Sequence, residues 1–220
     1  MGDTVEITTQ NTTVEEWTWA LAQSTGSPGG GAGAGLMLAI AASLTSMVAG
    51  YTQTSEDQRP ELSLILQRAH ELRHEALRLA DEDAAASKAF GAAFRLQPGS
   101  ARDSAISEAS VEAAKASAVL GQKAIEAIED LAWLSTYGNR ALIADVVVGF
   151  GALRSTLAGA RTNVSFDLST LTAAGQTLEE IRAQHPVLWS MVGKLNEGIE
   201  RIDGLMAGLD PEAAPTDDMS

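Results

Sequence analysis

The chain has 220 residues, 45% of them apolar and 20% charged, which supplies one sizeable core and excludes a disordered chain. It holds no cysteine, so disulfide frameworks, thiolate zinc sites, iron–sulfur clusters and a cysteine nucleophile are excluded. Its 15 Lys and Arg against 29 Asp and Glu give a formal charge of −14, a field that repels phosphate backbones, and no nucleic-acid partner is expected.

Aromatic residues are only 5% of the chain. A core built from Ala, Leu and Gly at close backbone approach favours helices over sheets. Residues 1–11 read as an N-terminal extension. Thr12 or Thr13 stands three residues before Glu15 or Glu16, the spacing of a capping box, and predicts a helix over Val14–Gln23. Ser24 to Gly31, with its Ser27-Pro28-Gly29-Gly30-Gly31 run, breaks it. Ala32 to Gly50 follows with 19 uncharged residues, long enough to raise a membrane span. The stretch is built from Ala, Gly, Ser and Thr and lacks flanking Lys or Arg, so it is read as an enclosed helix. Its small residues would let another helix, or a symmetry mate, approach closely. Met1–Gln10 carries no Lys or Arg and is unlike a secretory signal, so a cytoplasmic location without membrane attachment is expected.

Thr52 to Pro60 is a polar connection. From Glu61 to about Leu96, Leu62, Ile65, Ala69, Leu72, Ala76, Leu79, Ala86, Phe90 and Ala93 alternate three and four apart, the pattern of a long buried-seam helix. Asp83 fills the missing place in that series, so a carboxylate is written into a core seam. Gln97-Pro98-Gly99 stops the helix. Ser100 can cap the next, which carries Ile106, Ala113, Leu120, Ile128, Leu131 and Leu134 until Tyr137-Gly138-Asn139. A further helix is predicted over Arg140–Asn163. There Asp145 sits amid Leu142, Ile143, Val146, Val147 and Val148 and is expected to be enclosed. Ser169 to Met206 reads as amphipathic helix, kinked or divided by Pro186. Residues 209–220 form an acidic tail. The expectation is an all-α, single-domain helical bundle over residues 12–208.

A carboxylate withdrawn from water favours its neutral form and becomes a usable proton carrier near pH 7, which makes Asp83 and Asp145 the candidate catalytic residues. The structural alternative is that each pairs with an arginine or caps a helix. Pro28, Gly29, Gly30 and Gly31 could present backbone amides to an anion or simply form a tight turn before a closely packed helix. No Gly-Lys-Ser/Thr follows them, so this is no nucleotide-binding P-loop. His70 and His74 share a helix face but lie off the seam among charged residues, on a face read as solvated, and no metal site is expected.

Taken together, these residues resemble the formiminotransferase-cyclodeaminase C-terminal-domain family, which includes methenyltetrahydrofolate cyclohydrolases. The family's order of short helix, Ser-Pro-x-Pro-Gly-Gly-Gly-type turn and small-residue helix is matched by Glu15–Ala22, Ser27–Gly31 and Ala32–Thr52. An Asp before an Ala-rich run is matched by Asp81-Glu82-Asp83-Ala84 to Phe94. Gly138, Asn139, Asp145, Asn163 and Val164 stand at the spacing of its later motif. The chain departs at Ala32 and Ala144, where serines are common. Asp167 replaces an Asn, and Tyr51–Asp57 lacks the family's lysines.

The resemblance implies a homodimer with its site near the subunit interface. It implies a tetrahydrofolate derivative as small-molecule substrate, whose cationic one-carbon bridge is hydrolysed or whose formimino nitrogen is expelled, without a metal. On that reading Asp83 and Asp145 divide proton transfer and cation stabilisation between them. Asn139 and Asn163 orient polar ring atoms, and Arg154 or Arg161 receives a substrate carboxylate. Two rivals stand beside it: a diverged enzyme acting on a non-folate imine or amidine, and a non-catalytic helical dimer.

Overall fold

A computed structural model describes residues 7–24, 26–214 and 216. Among the described residues seven α-helices carry the fold: α1 (Val14–Leu21), α2 (Gly30–Gly50), α3 (Arg59–Phe94), α4 (Ser100–Tyr137), α5 (Ile143–Thr170), α6 (Leu178–Gln184) and α7 (Pro186–Ala213). No strand occurs among the described residues, so the all-α expectation holds.

The local signals act largely as the sequence suggests, although the helix expected from Ser169 is interrupted by a 3₁₀ turn at Leu171–Ala174 and a left-handed Gly175 before α6. Thr13 and Glu16 form the expected reciprocal capping box at α1. The cap of α4 is Gly99, at φ 148°, and Ser100 is already the first helical residue. After a 3₁₀ turn at Arg140–Leu142, α5 runs seven residues past Asn163, to Thr170. Pro186 divides the last segment by opening α7 as its first residue, where a missing N–H costs nothing. Helix α7 also continues into the expected acidic tail as far as Ala213. Residues 215 and 217–220 of that tail, like 1–6 of the extension, lie outside the described residues. The described part of the extension is docked: the Thr9 amide donates to Asp81 at 2.6 Å, and the Trp17 indole donates to the Thr9 hydroxyl at 3.1 Å.

The core lies between α2, α4, α5 and α7 and is dominated by Leu38, Leu120, Leu131, Phe150, Leu153, Leu157 and Leu195, all fully enclosed. Helices α2 and α5 run antiparallel. At one end the Asn139 amide donates to the Thr52 hydroxyl at 3.1 Å, and midway the Thr156 hydroxyl donates to the Ala34 carbonyl at 3.0 Å. Small residues permit the close crossings that the composition foretells. A methyl group placed on Gly35 would stand 2.7 Å from the Ala80 Cβ and 2.9 Å from its Cα, so α2 and α3 touch backbone to backbone. Both α2 and the segment Arg140–Ala173 are long and apolar enough to cross a membrane by composition. Much of each is instead buried against its neighbours.

Candidate functional site

Asp83 is where the seam pattern puts it: in the middle of α3, facing the core, with 5% of its surface exposed. The first turn of α2 meets it there. Gly31 has no side chain because a Cβ at that position would overlap the Asp83 carboxylate. The Ala32 amide, one of the free N–H groups of the helix start, donates to Asp83. From α4 the Ser117 hydroxyl donates to Oδ1 at 3.4 Å, and Ser87, one turn along α3, adds another hydrogen bond. The other oxygen, Oδ2, is buried with no hydrogen-bond partner among the described residues. Burial raises the Asp83 carboxyl above the ordinary range, against the pull of these three donors. Capping of a helix, the structural alternative, is therefore part of what Asp83 does, yet it leaves one acceptor unused.

The second carboxylate at this place is Asp167. It lies near the C-terminal end of α5, 9% exposed. Burial first, and the charge of Asp83 second, push it up to about 7. Two carboxylates in one low-dielectric place cannot both ionise readily, so burial and mutual repulsion keep protons on this site to higher pH than on an exposed Asp.

Asp145 does not share this place within the chain. It sits in the first turn of α5, half-buried, 22 residues from Asp167. At the rise of an α-helix that is about 33 Å. The expectation that Asp83 and Asp145 meet in one pocket is corrected accordingly: the partner of Asp83 in the fold is Asp167. The aliphatic surroundings of Asp145 misled because part of that cluster faces outward, Val148 being 59% exposed.

The remaining candidates divide. Pro28 and Gly31 are buried at the α2 start, with Gly29 and Gly30 beside them, next to Asp83. Asn163 stands one turn before Asp167 on the same face of α5. Asn139 is used elsewhere: it accepts from the Ala141 amide and donates to the Tyr51 carbonyl at 3.3 Å, fixing the α4–α5 corner. Arg154 and Arg161 turn toward α7. Arg154 grips Asp203 with two bonds of 2.5 and 3.0 Å, and Arg161 donates to Asn196 at 3.0 Å. Neither is placed at the acid pair. His70 and His74 are exposed, edge to face at 5.0 Å, on the solvated side of α3 as expected.

Sequence reasoning noted Asp167 only as a departure and missed it as a site residue. The signal was available: Ala160, Val164, Asp167 and Leu171 continue the buried spacing of α5, so Asp167 interrupts an apolar seam as Asp83 does.

These features define an all-helical domain with a paired-carboxylate site at a helix start. A sequence profile described as formiminotransferase-cyclodeaminase matches residues 13–184, and the chain belongs to that family. Its fold is similar to the crystal structure of formiminotetrahydrofolate cyclodeaminase from Thermotoga maritima, with a TM-score of 0.76. Sequence identity is 22%, over 91% of this chain and 98% of the other. No functionally curated protein matches.

Proposed function

We propose that the chain is a folate one-carbon enzyme, hydrolysing or deaminating the cationic bridge of a tetrahydrofolate derivative as a methenyltetrahydrofolate cyclohydrolase or a formiminotetrahydrofolate cyclodeaminase. The observation that carries the reading is the enclosed Asp83–Asp167 pair. Asp167, pushed up to about 7, supplies a proton carrier near neutral pH, and a carboxylate in this enclosed place suits an amidinium cation. Family membership and the fold point the same way.

In the hydrolytic direction Asp167, deprotonated, takes a proton from water as its oxygen bonds to the bridging carbon. The same carboxyl returns that proton to the departing ring nitrogen as the C–N bond breaks. The hydroxyl proton of the adduct leaves to solvent as the formyl carbonyl forms. In the deaminating direction the secondary amine nitrogen outside the ring bonds to the carbon of the protonated formimino group and loses its proton to Asp167, which passes that proton to the NH2 group as it leaves as ammonia and the cationic bridge forms. Asp83, held by Ala32, Ser87 and Ser117, stays in place and balances the cation. Asn163 would orient a polar ring atom beside it.

The second copy belongs to the same reading. Gly33, Met37, Ile40, Leu44, Met47 and Tyr51 form a stripe along α2, and Ala144, Val148, Gly151, Ser155, Thr162 and Phe166 form one along α5. Several of these residues are openly exposed, Tyr51 by 67% and Phe166 by 63%, and none is charged in a chain rich in charge. Such a face suits burial against another copy. A two-fold crossing of antiparallel α5 helices centred near Ser155 would bring Asp145 of the partner subunit toward Asp167. This gives Asp145 a place at the site that one chain does not offer. A cytoplasmic small-molecule enzyme acting as a homodimer is the resulting picture.

A second reading, a non-folate imine or amidine, is favoured by Asp167 itself, since an acid in place of the family's Asn changes what the site receives. Assaying purified protein with methenyltetrahydrofolate, by loss of its absorbance, and with formiminotetrahydrofolate, by ammonia release, tests the proposal. Turnover of either supports it. Turnover of neither, with no thermal shift by folates but one by another cationic heterocycle, transfers the site to the second reading.

A further inference from the structure

Beside the acid pair lies a cleft of about 360 Å³, lined by Gly26 and Ser27 of the loop before α2 and by Ser87, Lys88, Gly91 and Arg95 of α3. Ser87 belongs to both places, since it hydrogen-bonds Asp83 and lines the cleft. Gly91 leaves room on the floor. The Arg95 guanidinium folds back over it, within 3.9 Å of where a Cβ would stand.

Several cations of the bundle are committed. Arg68 is tied to Asp130 and Glu61, Lys123 to Glu75 and Arg154 to Asp203. Lys88 and Arg95 enter no ion pair among the described residues. Two unneutralised cations and two hydroxyls around one opening, on a molecule of charge −14, form a local anion receptor in an otherwise repelling field.

The spacing along α3 sets the size of the ligand. From Asp83 to Lys88 and to Gly91, where the Arg95 head lies, is about 8–12 Å at the helical rise. We propose that this cleft binds the carboxylate end of the substrate whose cationic centre the Asp83–Asp167 pair receives. For a folate this is the glutamyl carboxylate, held off from the one-carbon bridge by a rigid aromatic amide spacer of that length. The proposal rests on the folate reading for the identity of the ligand. It replaces Arg154 and Arg161, which are occupied, as receivers of the anion.

The test is calorimetry on the wild type and on Lys88→Gln, Arg95→Gln and the double variant. The ligands are methenyltetrahydrofolate with its glutamyl group, the corresponding tetrahydropteroate without it, and citrate. Both side chains are on the surface, and thermal melts confirm that the variants fold. The expected result is about tenfold weaker binding of the glutamylated ligand for each cation removed, equivalent to about 1.4 kcal/mol. Binding of the pteroate should be unchanged, and added salt should weaken only the wild-type advantage. Equal affinity of the wild type and the double variant for the glutamylated ligand overturns the cleft and leaves the folate reading standing. Equal losses for both folates also overturn it, because the cations would then act on the ring system. If the wild type binds neither folate, citrate decides: citrate bound by the wild type and lost in the double variant keeps the cleft while the folate reading falls. Citrate bound equally by both proteins, or by neither, then overturns the cleft.

Discussion

The raised pKa of Asp167 underlies the proposed chemistry and is also a cost in stability. An unfolded Asp releases its proton near 3.8, whereas in the fold Asp167 keeps it up to about pH 7. Between those values the folded state binds more protons than the unfolded one, so stability is highest at the acid end of the window and falls as pH rises through it. A rise from 3.8 to about 7 corresponds to at most about 4 kcal/mol. Asp167→Asn keeps the shape and removes the titration. It should raise the melting temperature by only a few degrees at pH 5 and by roughly 5–10 °C at pH 8 in calorimetric scans. A shift of equal size at both pH values would mean that Asp167 is not held protonated by its surroundings.

The helices depend on close approach, and their glycines do not all matter alike. Gly35 faces the backbone of Ala80, which cannot move aside, whereas a methyl group on Gly204 in α7 meets nothing within 4 Å. Gly35→Ala should lower the urea midpoint by the equivalent of about 1–3 kcal/mol through overpacking. Gly204→Ala should raise it by about 0.5–1 kcal/mol through lower backbone entropy in the unfolded chain. Similar effects of the two would contradict the α2–α3 crossing.

Much of this scale was legible in the sequence. The three–four spacing of Leu62 to Ala93 gave α3, and its interruption gave Asp83. The α1 capping box and the helix-starting Pro186 announced themselves through backbone chemistry that needs no tertiary contact. The end of α5 was not legible, because Ser165, Asp167, Ser169 and Thr170 look like a polar exit. Only packing against neighbouring helices, α2 and α4 among them, makes that turn an inner one. Asp145 is half-buried rather than enclosed within the chain because part of its apolar cluster, Val148 included, faces outward.

At the scale of the whole molecule, the uncharged stripes of α2 and α5 suit a second copy, which the proposed mechanism includes. If Asp145 of the partner subunit completes the Asp83–Asp167 site, Asp83→Asn and Asp145→Asn are each inactive as homodimers. A mixed dimer of the two then contains one site with both changes and one with neither. Mixing the variants after dissociation and reassociation should restore about a quarter of wild-type turnover, as expected of an isologous pair with random exchange. No recovery, with mixed dimers shown to form, would confine each site to one chain. The cleft at Lys88 and Arg95 belongs to this scale as well, since it gives a strongly acidic molecule one place where an acidic ligand end can settle.

In the proposed mechanism the Asp83–Asp167 pair moves the proton at the one-carbon bridge. The most direct measurement is the pH dependence of kcat/KM for methenyltetrahydrofolate, followed by its absorbance, in wild type and Asp167→Asn. The wild-type rate should rise with pH through a group titrating near 7. In the variant that titration should vanish and the rate should fall about 10²–10⁴-fold, the usual worth of a general base. An Asp167→Asn profile that overlays the wild type in both shape and height would contradict the account.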